Sequence, residues 1–194
     1  MKILSHPAAV FTLLIAALYP QLAHAASVPA LLDNFDDAQH TSMSTDRVWI
    51  SDTVAGGQSR VTQKSVNGIL IVEGELTPPR GSPGWVNLVL PLSPDGESRD
   101  LSEYSGVRLR LKIVTGALSL QVCTPEVTNY DYHNTLVAVR SGETQEIRLP
   151  FTKLKRAWSE QTPLNLKNII SVNLLAVGLS KGPFAYEVDE VGFY

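Results

Sequence analysis

The sequence predicts an all-β fold, a single-domain antiparallel β-sandwich of the jelly-roll kind. Three observations carry this. Short apolar/polar alternations recur along most of the chain, Gly, Pro, Asn and Asp fill the gaps between them, and helical spacing is confined to single turns near Asp100–Ser105 and within Phe151–Ser159. Nine or ten short strands with turn signals at this spacing bury one face of each of two sheets and leave the other wet.

The clearest strand is Gly106–Val114, where Val107, Leu109, Leu111 and Ile113 alternate with Arg108, Arg110 and Lys112. One face belongs to the core and the other to solvent. Before it, RVTQKS (60–65), GILIVEG (68–74) and WVNLVLPL (85–92) read as strands set off by the turn signals VNG, TPPRGSPG and SPDGES. In WVNLVLPL the apolar series is Val86, Leu88, Leu90 and Leu92, so Trp85 shares the parity of Asn87 and the outer face, or else covers the rim of the core. After VTG, ALSLQVC (117–123) puts Leu118, Leu120 and Val122 on one face and Gln121 and Cys123 on the other. TLVAV (135–139) follows, then TQEIRLPF (144–151), where Pro150 ends the strand and Phe151 anchors the next turn on the core while Lys153, Lys155 and Arg156 stay exposed. IISVNLLAVGL (169–179) and FAYEVDEVGFY (184–194) complete the series, and Trp49 and Trp158 read as core or edge packing.

The N-terminal stretch MKILSHPAAVFTLLIAALYPQLAHA joins Lys2 to an apolar run over 8–18 and a small-x-small site at Ala23-His24-Ala25. It reads as a signal peptide over 1–25, with one β-sandwich domain over 26–194, exported to the periplasm or beyond the cell. No later segment reaches the roughly 18 apolar residues of a membrane span. The formal charge of -3 moves further negative when Lys2 is removed, which disfavours nucleic acid or an anionic membrane surface as partner. Cys123 is the only cysteine, so no internal disulfide can form, and a packed, inert thiol is expected.

Residues 127–139, VTNYDYHNTLVAV, gather polar and aromatic groups just ahead of a strand. Asp131 and His133 invite a catalytic reading, because such a pair moves protons near neutral pH. A hydrolytic triad also needs a nucleophile, and the chain has no GxSxG elbow, no HExxH and no paired-histidine metal motif. The stretch is therefore read as a structural loop or a ligand-contact surface in a protein that is not an enzyme.

Taken in order, LLDNFDD, SDTVAGGQSR, GWVNLVLPLSPDGESRDLSEYSGVRLRLK, DYHNTLVAV, EIRLPFTKLKRAW and YEVDEVGFY resemble the CIA30 family, named after complex I intermediate-associated protein 30, over residues 31–194. The resemblance implies a galactose-binding domain-like jelly roll similar to β-glucan-binding modules of carbohydrate-binding family 11, with no reaction of its own. Sugar binding needs aromatic faces for pyranose C–H patches and planar groups for hydroxyls. Trp85, Tyr130, Tyr132 and His133 are candidates for the first, and Asn87, Arg110, Gln121, Asp131 and Asn173 for the second. Similar modules often hold a structural calcium where the first and last strands meet, which points to Asp36 and Asp189 as ligands; hydrogen bonds within turns are the alternative. The expected partner is a glycan or an envelope protein, bound on an open sheet face. The alternative implied by the family is an assembly or scaffold factor for a protein complex.

Overall fold

The computed structural model describes residues 27–194; the expected signal segment lies outside the described residues. Eleven strands form: β1 (Leu31–Asp33), β2 (Val48–Ser51), β3 (Arg60–Val66), β4 (Ile69–Leu76), β5 (Gly84–Pro91), β6 (Gly106–Thr115), β7 (Leu118–Cys123), β8 (His133–Leu136), β9 (Gln145–Pro150), β10 (Ser171–Gly178) and β11 (Gly182–Phe193). All pairings are antiparallel. One sheet has the order β3-β4-β11-β6-β9, with β1 added against the far end of the long β11; the other has the order β2-β5-β10-β7-β8. The predicted jelly-roll sandwich is the fold found.

The period-two pattern explains the layers. Leu70 and Val72 of β4, Leu109 and Leu111 of β6 and Val188 of β11 meet Leu88 and Leu90 of β5, Leu120 and Val122 of β7 and Val172 and Leu174 of β10 in one buried apolar layer. The β3–β4 turn sits at Asn67 and Gly68, both at positive φ (51° and 74°), the conformation that matches the twist of a tight hairpin. Phe151 anchors a short 3-10 turn on the core, as its position after Pro150 implied.

Two expectations change. The strand expected at 135–139 instead starts at His133 and stops at Leu136, since Asn134 and His133 pair with Gln121 and Val122. Arg110 of β6 and Gln121 of β7, expected on one contact face, are parted, because the VTG segment between these strands crosses from one sheet to the other. Outward residues on β6 and β7 therefore lie on opposite sides of the sandwich.

Candidate functional site

The outer face of the β2-β5-β10-β7-β8 sheet follows from register. One row across the strands is Ile50, Asn87, Leu175, Ser119 and Leu136; the next is Val48, Val89, Asn173, Gln121 and Asn134. Trp85 and Val177 flank the first row, and Pro91, Ser171 and Cys123 flank the second. No outward residue of these five strands is charged, and four are carboxamides. The middle of the face is covered, with Asn173 only 3% exposed, whereas Leu136 at the β8 edge is 60% exposed and Val48 and Ile50 at the β2 edge are also exposed. That is the profile of a shallow trough. Four of the expected contact residues, Trp85, Asn87, Gln121 and Asn173, lie on this one face: alternation paired Trp85 with Asn87, and strand register adds Gln121 and Asn173.

Two groups in the trough lack protein partners. The side-chain oxygens Oδ1 of Asn87 and of Asn173 are buried with no hydrogen bond. A buried carbonyl without a donor costs on the order of 1–3 kcal/mol. Asn173 Nδ2 donates to the Cys123 sulfur at 3.2 Å. Burial pushes the Cys123 thiol up to about 12, so it stays protonated. In the folded protein it should resist alkylation at pH 8 and react once urea unfolds the chain; labelling at equal rates in both states would contradict this burial.

Asp52, buried just after β2, had no signal in its local sequence. Its carboxylate accepts from Ser59 N at 3.0 Å, Ser59 Oγ at 2.6 Å and Trp85 N at 3.2 Å, and so fixes the start of β5 where Trp85 enters the face. Gly57 makes this possible, because a Cβ there would stand 2.2 Å from the Asp52 carboxyl carbon.

The YDYH segment divides between roles. Asp131 is buried, and its carboxylate accepts from the backbone N–H groups of Ala157 (2.7 Å), Trp158 (3.0 Å) and Ser159 (2.6 Å). Burial alone would raise its pKa, but those donors outweigh it and hold the carboxyl below its ordinary value of 3.8. His133 is also buried, because the β7 pairing puts it opposite Val122 on the inward side, where its Nε2 meets the Thr162 carbonyl at 2.7 Å. A carbonyl only accepts, so Nε2 carries the proton, and Nδ1 is left without a partner. Asp131 and His133 are therefore packed rather than presented, which corrects the expectation that they lie on an open surface. Tyr132 is half-buried, and Tyr130, at φ 63°, is 76% exposed. Burial first, then the nearness of Cys123 and Tyr130, raises the Tyr132 phenol.

Because the Asp131 pKa is depressed on folding, its contribution to stability is fully present above 3.8 and is lost as pH falls through the lower folded value. The protection of the Ala157–Ser159 amides relative to free-chain exchange at the same pH should fall below that point before that of the core strands does. Protection of this loop that is lost only together with that of the core strands as pH is lowered would count against the carboxylate as its anchor.

Arg110 is on the other side of the sandwich. It pairs with Asp189 at 2.8 Å, beside Lys112–Glu187 at 2.9 Å and Arg108–Glu190. Asp189 shares the outward parity of Glu187, and the register shift between Val188 and Glu190 adds Glu190 to the same face before Val191 returns to the core. This balanced ladder is a solvated face, and it separates Arg110 from the other candidate contacts. Asp36 accepts from Asn34 Nδ2 at 2.6 Å. Asp36 and Asp189 thus each have a protein partner, and among the described residues no group of three or more His, Cys, Asp or Glu is arranged to hold a metal.

Trp49 packs on the core as expected, but Trp158 is 72% exposed on the loop that Asp131 holds. Arg156 is not a free basic group: it reaches the Asp131 carbonyl at 3.1 Å and Asn129 Oδ1 at 2.8 Å. A depression of about 400 Å³ lined by His40, Thr45, Asp46, Pro91 and Ser93 continues the trough past its β2–β5 corner. Among the described residues no helix is long and apolar enough to cross a membrane.

The fold has known counterparts. The family 11 carbohydrate-binding module of the cellulosomal cellulase Lic26A-Cel5E of Clostridium thermocellum superposes with a TM-score of 0.60 at 19% identity, over 87% of this chain and 95% of that one. A solution structure of CtCBM11 gives 0.59 at 20% identity with the same coverage. The agarase AgWH50C gives 0.58 at 8% identity over 84% of this chain but only 24% of the agarase. At these identities the likeness shows the fold alone. A search of the curated proteins finds no match. The family model described as complex I intermediate-associated protein 30 matches residues 34–188, and with most of its length covered the chain belongs to the CIA30 family.

Proposed function

We propose that this protein is an exported, non-catalytic binding module that takes a neutral glycan in the trough of the β2-β5-β10-β7-β8 sheet. One observation carries the reading: the outer face of this sheet carries four carboxamides and no charged side chain. Sugar hydroxyls are donors and acceptors at once, so they suit a carboxamide-lined face without bringing charge into a site that has none to answer it. Trp85 offers the ring surface for C–H patches at one end of the trough. The path across five strands spans about 19 Å, room for several sugar rings. The fold shared with carbohydrate-binding modules supports this reading.

Affinity electrophoresis through mixed-linkage β-glucan, galactomannan and agarose, with alginate as the anionic control, tests it. At least one neutral polymer should retard the protein, alginate should not, and Trp85→Ala should weaken retention about fivefold while Arg110→Ala, on the opposite face, leaves it unchanged. Equal sensitivity to both substitutions, or no retention at all, would remove the reading.

The exposed Val48, Ile50 and Leu136 on the trough's rims favour a second reading, in which the same face docks a protein partner in an assembly or scaffold role. Pull-down of a specific envelope protein, abolished by Leu136→Asp and indifferent to added polysaccharide, would favour that reading over the first.

A further inference from the structure

We infer that the glycan site extends off the sheet onto a rigid aromatic platform made by Tyr130 and Trp158, held in place by Asp131. This deepens the proposed function and rests on it.

Both rings are far more exposed than aromatic side chains usually are, 76% for Tyr130 and 72% for Trp158. They stand on two loops, 129–132 and 156–159, that are fastened to each other at many points. The Asp131 carboxylate takes three successive N–H groups around Trp158. Asn129 Nδ2 donates to Ser159 Oγ at 2.8 Å, and Arg156 donates to Asn129 Oδ1. Gln161 closes the second loop on itself, giving 2.7 Å from Nε2 to the Arg156 carbonyl and accepting from Arg156 N at 3.1 Å. Tyr130 is kept at positive φ inside the turn formed when Asp131 N donates to Asn129 Oδ1. A non-glycine residue in that conformation carries strain, and it persists because the surrounding bonds hold it.

Asn129, Asp131, Arg156 and Gln161 are thus spent within the two loops, and the two rings stand outward beside the exposed Lys155 and Glu160. Fixing exposed rings before binding removes part of the ordering cost of a contact. The location is continuous with the trough. β8 is the edge strand of that sheet, Asn134 on its outer face bridges to Lys155 by paired backbone bonds of 2.9 Å, and half-buried Tyr132 lies between Tyr130 and the start of β8. Asp131 is a positioning residue here: it touches the loop backbone and sets where Trp158 stands.

A platform beyond the sheet edge should be reached by long oligosaccharides and not by short ones. The experiment compares wild type with Trp158→Ala, Trp158→Phe and Trp85→Ala by calorimetry, on four-residue and eight-residue oligosaccharides prepared from mixed-linkage β-glucan and from agarose. In wild type the longer chain should bind more tightly. Trp158→Ala should lower affinity for the longer chain about fivefold, leave the shorter chain and the melting temperature unchanged, and Trp158→Phe should recover most of the loss. If wild type binds and Trp85→Ala weakens it while Trp158→Ala changes neither chain length, the platform fails and the trough stands. If Trp158→Ala lowers both lengths equally together with the melting temperature, the ring is structural and the inference also fails. A wild-type protein that binds none of these sugars overturns the trough and the platform together.

Discussion

Replacing Asp131 by alanine should destabilise the folded protein by about 3 kcal/mol and lower its melting temperature by several degrees. The side chain is fully buried, and its removal leaves the N–H groups of Ala157, Trp158 and Ser159 without their acceptor. Each such group costs on the order of 1–3 kcal/mol when it stays buried. The loop can open to water and recover part of that, so the costs do not simply add. Asp131→Asn keeps an acceptor but removes the charge, and should fall between wild type and alanine. Urea unfolding of the three proteins at pH 7 checks the order. A loss below about 0.5 kcal/mol for the alanine variant would mean that the loop pair is held by other contacts.

This residue also marks the limit of what the sequence showed. The strands were legible because alternation is local: Leu118, Leu120 and Val122 declare one face of β7 and Gln121 and Cys123 the other, whatever the neighbouring strands do. The same rule put Trp85 with Asn87, and register then joined them to Asn173 and Gln121. Asp131 and His133 fell outside the rule because they precede the strand pattern, and their partners are 26 to 29 residues further along. Nothing local distinguishes a carboxylate that holds a distant loop from one that meets a ligand. Arg110 failed for a topological reason: consecutive strands β6 and β7 belong to different sheets, so equal parity on the two strands does not mean a shared face. Trp158 was misplaced because a large apolar side chain is ordinarily buried, and only the tertiary anchoring of its backbone shows that it is displayed.

The short first strands were the least visible, since three or four residues give alternation little to work with. They contain the second large effect. Replacing Asp33 by alanine should cost about 3–5 kcal/mol, because it strands the charge of Arg47, whose side chain is only 5% exposed. The carboxylate binds that guanidinium through both oxygens, at 2.6 Å to Nε and 2.8 Å to Nη2, and also accepts from Phe35 N at 2.9 Å. Phe35 is itself buried at φ 57°, and the Arg47 guanidinium lies 4.8 Å over its ring. One carboxylate therefore holds an ion pair, a strained backbone and the link from β1 towards β2. The cost belongs to the unpaired charge more than to the pair, and this can be separated experimentally. Asp33→Leu combined with Arg47→Met should be clearly more stable than Asp33→Ala alone, since well-packed apolar side chains often match a buried ion pair. If the double variant is as unstable as the single one, the penalty comes from the lost bond to Phe35 and the turn it shapes. If Asp33→Ala costs under about 1 kcal/mol, Arg47 has found water, and the pair is no stronger than one on the surface.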